Sequence, residues 1–460
     1  AAWVGVAAGL DECPAAHGAL VSPCAPQCTI LTLQAGYGHT CALFEHGGVR
    51  CWGRNHYGQL GRGNTATIGD DAGEVASLAD VDLGLGRTVV QLAAGYQHSC
   101  ALRDDGHLKC WGDNSVGQLG LSDVDNRGDG ADEMGARLPD EDLGYGWTVV
   151  GVAAGGYHTC ARLENGAERA LKCWGRNDRG QLGLASVKFW GFNGYGALGL
   201  GDNINRGDGV GDSPQGNGAG GMGDSLPAVD LGPGQTAVQL ASGVYNTCAL
   251  LDDGRLKCWG SGYGGTGAND MGANLPSVDV GAGWTVVEVA VGLDHTCARL
   301  ENWDLRALKC WGGNSHGQLG LGNKDTRGDG EGEMGGNLPA VQLGTNRSAV
   351  ALALGWAHSC ALLDDASMKC WGSNSWRALG VDGHNRGDGT GGMGDSLPAV
   401  DFGPGRSAVQ LAAARYHTCV LLDNGQLKCW GSNSDGQLGL GDPNNWVSQE
   451  MGANLPSVDL

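Results

Sequence analysis

The tripeptide Cys-Trp-Gly occurs seven times, with its cysteines at 51, 110, 173, 258, 310, 370 and 429. The intervals between them are 59, 63, 85, 52, 60 and 59 residues. A period of this length marks a chain assembled from copies of one supersecondary unit. Each of these cysteines has an upstream companion. The pairs are Cys41 with Cys51, Cys100 with Cys110, Cys160 with Cys173, Cys248 with Cys258, Cys297 with Cys310, Cys360 with Cys370, and Cys419 with Cys429. Five pairs are ten residues apart. Two are thirteen apart, and both carry three extra residues between the cysteines, in "ENGAERALKC" and "ENWDLRALKC".

The segment "CALLDDGRLKCW" from Cys248 shows what one pair does. If Cys248 faces Cys258, the pairing runs inward through Leu251 and Arg255 and leaves Asp252-Asp253-Gly254 as a three-residue loop. Such a loop wants glycine last, where the chain turns left-handed. Opposed cysteines at a non-hydrogen-bonded pair are close enough for a cross-strand disulfide. A single hairpin would also fit two buried free thiols. The second cysteine moves with the turn whenever the turn grows, and this supports facing pairs. Closing so short a loop stabilises by about 2–3 kcal/mol per bridge.

Each unit holds four strand candidates. In the last they are "AVQLA" from Ala408, "TCVLL" from Thr418, "QLKCW" from Gln426 and "LPSVDL" from Leu455. Apolar and β-branched runs bounded by Gly, Asp and Asn are strand signals. Four short strands in each of seven units, with no amphipathic helix, predict an all-β, seven-bladed β-propeller. Which strand is innermost, and so how the ring closes, stays open at this level.

The units "GYGHTCAL…CWGRNHYGQLG", "GYQHSCAL…CWGDNSVGQLG" and "ARYHTCVL…CWGSNSDGQLG" resemble repeats of the regulator of chromosome condensation superfamily. The resemblance runs from about residue 29 to 460 and implies the same seven-bladed propeller. The cysteine pairs depart from the nuclear members and are similar to secreted, disulfide-bearing repeats of bacteria and green algae. Plant ultraviolet-B photoreceptors of this superfamily use clustered tryptophans. Only "GWAHS" (355–359) is similar to their motif, which speaks against that role.

Two regions stand outside the regular repeat. Residues 1–28 form an N-terminal segment with Cys13, Cys24 and Cys28. Seventeen cysteines leave one odd thiol, free or in an intermolecular bridge. A half-repeat is inserted around 184–225, where "FWGFNGYGALGLGDN" matches "CWGSNSDGQLGLGDP" at nine of fifteen positions. Its Phe189, Trp190, Phe192 and Tyr195 are either partner anchors or the packed strand of that half-repeat.

The net charge of −21 disfavours nucleic acid and anionic membrane surfaces. No apolar run is long enough to span a membrane. The 86 glycines recur at fixed repeat positions and read as turns. Regular cysteine pairing implies an oxidising compartment, so the expected location is secreted or cell-surface. No signal peptide is visible in "AAWVGVAAGL". Asn346-Arg347-Ser348 is a single N-glycosylation sequon.

Six units carry histidine at one position: His39, His98, His158, His295, His358 and His417. The fourth has Asn246. A residue repeated at one structural position reads as a structural group bonding between strands or blades, and the seven tryptophans read as packing between blades. The acidic loops after "GQLG" place Asp123, Asp125 and Asp129 like hard oxygen ligands. Asp325 with Asp329 and Asp202 with Asp208 partly repeat the set. Calcium is the cation such a set would take, although Asp, Asn and Gly are also ordinary turn residues. The Arg-Gly-Asp tripeptides at 127, 206, 327 and 386 read as a turn encoded by the repeat. "GNSHG" (313–317) and "GYGALG" (194–199) match catalytic or nucleotide-binding patterns in letters only, because neither has the strand–helix setting those motifs need.

The expected function is a non-catalytic extracellular protein-interaction or structural module, presenting acidic, glycine-rich loops from a rigid ring. Its partner would be a protein, and no cofactor beyond calcium is implied. A carbohydrate-binding propeller is the first alternative, with repeated equivalent pockets. An enzyme inhibitor or enzyme is the second, by fold analogy.

Overall fold

A computed structural model of the chain describes residues 29–84, 86–176, 222–226, 228–260, 272–389, 392–444 and 451–460. Cys13, Cys24, Cys28, Phe189, Trp190, Phe192, Tyr195, Asp202 and Asp208 lie outside them, as does most of the inserted half-repeat.

Seven antiparallel sheets of three strands account for the repeats. Blade one is Ile30–Ala35, His39–Phe44 and Val49–Gly53, in that spatial order. One register recurs in every blade. Cys41 faces Cys51, Cys100 faces Cys110, Cys160 faces Cys173 and Cys248 faces Cys258. Cys297 faces Cys310, Cys360 faces Cys370 and Cys419 faces Cys429. All seven disulfides are formed, each with Cα atoms 4.1 Å apart. The hairpin turn also has the expected form: Leu251 N–H donates to Arg255 O at 2.8 Å, and Gly254 has φ +79°. Between Cys160 and Cys173, and between Cys297 and Cys310, the three extra residues lengthen the strands instead of the loop. Asn165 pairs with Glu168 and Asn302 with Leu305, so only two residues remain in each turn.

The fourth strand expected in each unit is a docked segment, not a full strand. One backbone bond ties it to the third strand in every blade, from Val81 N–H to Val49 O in the first and from Val458 N–H to Leu427 O in the last. The lysine of "LKC" reaches the docked segment of the preceding blade: Lys172 Nζ of blade three donates to Leu143 O of blade two and to Gly223 O, both at 2.9 Å.

The first strand of each blade is innermost, and these strands neighbour one another all the way round the axis. Blade one is built from residues 30–83 and blade seven from 408–460. The ring therefore closes by packing between two sequence-contiguous blades, without strand exchange. The core lies between blades. Trp52 of blade one packs with Leu421, Leu427 and Leu438 of blade seven, and Trp111 of blade two packs with Leu43 and Leu60 of blade one.

A polar belt crosses six of the seven junctions. His39 Nε2 lies 3.0 Å from Ser99 Oγ, which donates to Gln59 O at 3.0 Å. His98 bonds Thr159, His158 bonds Thr247, His295 bonds Ser359 and His358 bonds Thr418 in the same way. Each histidine ring needs room, and Gly36 shows why: a Cβ there would sit 2.2 Å from His39 Cε1. Burial of these imidazoles holds His39 down at about 4 and His98, His158, His358 and His417 at about 3.

Each inner strand also carries a β-bulge near its start. The extra residue is aliphatic in every blade: Leu31, Val90, Val150, Val238, Val287, Val350 and Val409. Six of the seven are between 37 % and 49 % exposed.

Candidate functional site

Among the described residues the acidic loops lie as clasps between blades. Gly128 and Asp129 of blade two lie on the Asn-x-x-Gly turn of blade one, where a Cβ on Gly58 would meet Asp129 N at 2.2 Å. Gly322 N–H of blade five donates to Gly387 O of blade six, and Gly441 N–H of blade seven donates to Gly69 O of blade one. Within the loop, Arg127 pairs with Asp123, whose carboxylate also accepts from Asn114 Nδ2 at 2.9 Å. Asp129 accepts from Asn126 Nδ2 at 3.4 Å, and Asp125 is exposed. Asp325 faces Arg327 at 3.5 Å, and Glu333 accepts from the N–H groups of Gly328 and Gly330, on either side of Asp329. Among the described residues no group of three or more His, Cys, Asp or Glu is placed to hold a metal ion. The Arg-Gly-Asp arginines at 127, 327 and 386 are held by backbone bridges to Gly112, Gly312 and Gly372. Asn346 is exposed, in the link between blades five and six.

The distinctive site lies at the axis, where the inner strands end. Two residues follow each inner strand's terminal glycine (Ala414 in blade seven) and precede the belt histidine or Asn246: one turns toward the axis, the next toward the rim. The axial position holds Tyr37, Tyr96, Gly156, Val244, Leu293, Trp356 and Arg415 in blade order. The rim position supplies Tyr157, Tyr245, Asp294 and Tyr416. A floor of glycine and alanine, including Gly36, Gly95, Gly155 and Ala413, lets these side chains converge.

Arg415 is the centre of the cluster. Its guanidinium carbon stands 3.9 Å from the Trp356 ring centroid, 4.3 Å from Tyr37 and 4.6 Å from Tyr416. Its Nη1 donates to Tyr96 Oη at 3.1 Å. Tyr37 and Tyr96 are 4.1 Å apart between centroids, and Tyr96 reaches Tyr157 at 5.3 Å. Arg54 lies over Tyr37, and Arg176 over Tyr157 and Tyr245. Burial pushes the Tyr96 and Tyr157 phenols up, with neighbouring tyrosines adding to the rise at Tyr96 and Asp113 at Tyr157, so both remain neutral. Trp376 extends the cluster outward from Tyr416 at 6.4 Å, is 52 % exposed, and has φ +60°.

These groups are half-buried, aromatic and cationic on a chain of net charge −21. Arginine stacked on aromatic rings gains about 1–2 kcal/mol per desolvated pair. Tyr, Trp and Arg are the residues that dominate binding energy at protein interfaces. Sequence reasoning passed over this cluster: "GYGHT", "GYQHS" and "ARYHT" carry it, but only their histidine recurs in nearly every unit.

A family model described as "Regulator of chromosome condensation (RCC1) repeat" matches residues 30–59, 89–118, 149–181, 237–266, 286–318, 349–375 and 408–437. A second model of the same repeat matches 46–102. The chain is 28 % identical to the ultraviolet-B receptor UVR8 of Arabidopsis thaliana over 423 residues, covering 91 % of this chain and 80 % of that one. It is 40 % identical over 98 residues to the human probable E3 ubiquitin-protein ligase HERC4, which is 21 % of this chain and 9 % of the ligase. The chain thus matches a small part of that ligase's length. Among solved structures, Prp20p of Saccharomyces cerevisiae aligns with a TM-score of 0.60 at 20 % identity, over 94 % of this chain and 87 % of that one. Human WBSCR16 aligns at 0.57 and 20 % identity, over 86 % and 87 %. With one matched repeat in each of its seven blades, the chain belongs to the regulator of chromosome condensation (RCC1) repeat family.

Proposed function

We propose that this chain is a non-catalytic propeller that binds a protein partner, in an extracellular or cell-surface setting, through the Tyr–Arg–Trp cluster at its axis. The observation that carries the reading is Arg415, enclosed by Tyr37, Trp356 and Tyr416 and bonded to Tyr96. The cluster is singular. The axial residues differ from blade to blade, so this site is not one of a set of repeated equivalent pockets. Prp20p is described with its binding to Gsp1p and histones, which supports protein binding as the use of this fold. The setting is supported by seven disulfides. Among the described residues no helix is long and apolar enough to cross a membrane.

The test is a photo-crosslinking residue at Trp376, with a control at the exposed outer edge at Asp459. The Trp376 probe should capture a discrete partner from the fluid surrounding the source cells, and the control should not. Adding Tyr96→Ala and Arg415→Ala should abolish capture. Equal capture from both positions, or capture that survives both alanines, would overturn the reading.

A further inference from the structure

The end of the ring opposite the tyrosine cluster carries a second surface, built from the seven bulged aliphatics. These residues stand at the start of the innermost strands, so they form an annulus around the axis. Bulges re-aim side chains and are retained where that is useful. Here the bulge leaves an aliphatic group part-exposed in each of seven blades. The next residue inward is often polar and ties neighbouring blades together: Gln91 Nε2 donates to Val152 O at 3.0 Å, and Val152 N–H donates back to Gln91 Oε1. Packing between blades therefore does not require the exposed aliphatics.

A ring of carboxylates surrounds the annulus. The residue opposite the start of the inner strand is acidic in every blade: Glu45, Asp104, Asp252, Asp364 and Asp423 open their hairpin turns, and Glu164 and Glu301 lie in the lengthened strands. Each is held beside a Thr or Ser two residues before the bulge. Asp104 N–H bonds Thr88 O and Asp423 N–H bonds Ser407 O, while Glu301 pairs with Thr285. Arg169, Arg306, Arg347 and Arg406 neutralise four of the seven. Glu45 and Asp104 are exposed and make no ion pair among the described residues.

Trp303 extends the apolar surface at the same end. It is 98 % exposed at the tip of the blade-five hairpin, beside Leu305 at 62 %. Its φ is +54°, where the matching turn of blade three has Gly166 at +61°. That conformation brings a Cβ too close to the following carbonyl and strains any residue but glycine. A bulky residue kept there against strain, with no packing to offset it, points to use in binding.

We infer that this end docks a cationic segment of a second protein partner, one whose aliphatic side chains are flanked by lysine or arginine. Charge complementarity selects this occupant. Anionic lipid is repelled by the carboxylate ring. The chain's own first 28 residues contain Asp11 and Glu12 and neither lysine nor arginine, so they carry the wrong charge.

The test titrates the full chain into a labelled 18-residue leucine/lysine peptide and reads fluorescence anisotropy. A leucine/glutamate peptide of the same pattern is the control. The lysine peptide should bind at least tenfold more tightly than the control. Val90→Ser, Val238→Ser and Val409→Ser together should weaken it tenfold or more. Glu45→Gln with Asp104→Asn should weaken it and flatten its salt dependence, while Arg415→Ala should leave it unchanged. Binding that ignores the serine substitutions would make the attraction a general effect of net charge and overturn the inference. Loss on Arg415→Ala would move the site to the other face. Recruitment to phosphatidylserine vesicles without peptide binding would assign the surface to lipid. No binding above the control would mean that the annulus is covered or unused.

Discussion

His417 Nε2 lies 3.0 Å from Thr40 Oγ1, although 377 residues separate them in sequence. Thr40 Oγ1 donates to Gln437 O at 3.0 Å, so the imidazole is the donor to the hydroxyl. Trp52 Nε1 donates to the same carbonyl at 3.1 Å. This is the bond set of an interior junction, repeated where the two ends of the ring meet without a shared sheet. Thr40→Val keeps the shape of the side chain and removes the hydroxyl. It should cost about 1–3 kcal/mol, because a buried imidazole N–H loses its acceptor. Thr40→Ser, the residue blade two uses at Ser99, should be near neutral. Chemical denaturation of both variants checks the pair.

The same belt predicts acid sensitivity. His39, His98, His158, His358 and His417 are buried and held below the ordinary histidine value, chiefly by desolvation. A group with a depressed folded pKa leaves the unfolded chain holding more protons. The belt's contribution is therefore complete above about pH 6.5 and falls as pH drops toward about 4 and 3. Each histidine adds a slope of about 1.4 kcal/mol per pH unit in that window. Denaturation midpoints measured from pH 7 to pH 4 should fall steeply. His417→Asn, which does not titrate, should give a shallower slope from a lower starting stability.

Glu141 occupies the place that Val81, Val229, Val278, Val341, Val400 and Val458 hold in the other blades. Its backbone bond to Leu108 O matches theirs, but both carboxyl oxygens are buried without a hydrogen-bond partner among the described residues. Burial raises its pKa well above the ordinary value, against the nearby backbone N–H groups of Glu141 and Cys110, with Asp140 adding to the rise and Lys109 opposing it. The fold thus favours the protonated acid. That state stabilises below the unfolded pKa and is lost as pH rises through the folded one. Glu141→Val should raise stability by about 1–3 kcal/mol, and the gain should grow from pH 5 to pH 8. Thermal melts at both pH values decide it; a gain that shrinks with pH would contradict the raised pKa.

Much of the scaffold was readable because its constraints repeat. Facing cysteines set the hairpin register in all seven blades, and the histidine and tryptophan positions showed themselves by recurrence. The fourth segment was over-read as a strand, since "LPSVDL" has strand composition while its proline and the single valine bond limit it to docking. The acidic loops read as ligand sets or as turns, because Asp, Asn and Gly serve turns and cations alike; their contact with the next blade is not visible in one repeat. The axial cluster was missed for the opposite reason. Tyr37, Trp356 and Arg415 occupy one structural position with three different side chains, so a search for what recurs passes over the place where the blades differ.

The disulfides should resist reduction in the folded state. Each of the fourteen cysteines is at most 4 % exposed, behind the neighbouring blade; Cys110, Cys173 and Cys310 are fully buried and Cys370 is 1 % exposed. Thiol reductant without denaturant should leave intact mass unchanged at these positions after alkylation. With denaturant, fourteen alkyl groups should be added there, as mapped by peptide analysis. Cys248→Ala with Cys258→Ala should cost about 2–3 kcal/mol and leave the ring folded. Rapid native-state reduction of all seven would mean that the blades separate readily.

The junction between blades four and five departs from the belt. Asn246 replaces the histidine, and its Oδ1 is buried without a partner among the described residues. Trp311 Nε1, on the blade-five side, also lacks one there, whereas Trp111, Trp174, Trp371 and Trp430 donate to a turn carbonyl of the preceding blade at 3.0 Å. Blade four reads "CWGSGYGGTG" where five others read "CWGxNxxGQLG" and blade six reads "CWGSNSWRALG", so the sequence itself lacks the Asn and Leu of that turn. Among the described residues this seam lacks both the inter-blade imidazole bond and a tryptophan bond to the preceding blade's turn, which makes it the place where the ring opens first, since local stability follows such contacts. Hydrogen exchange should be faster in Asn246–Leu251 and Thr285–Val291 than in the equivalent strands of blades one and two. Asn246→His should add about 0.5–1.5 kcal/mol by restoring the bond toward Thr296, and Gly243 already leaves the space that Gly36 leaves for His39. Slowed exchange in both strands of the variant, with blades one and two unchanged, is the expected result. Uniform exchange around the wild-type ring would show that the disulfide staples and aliphatic packing, not the belt, set the stability of each seam.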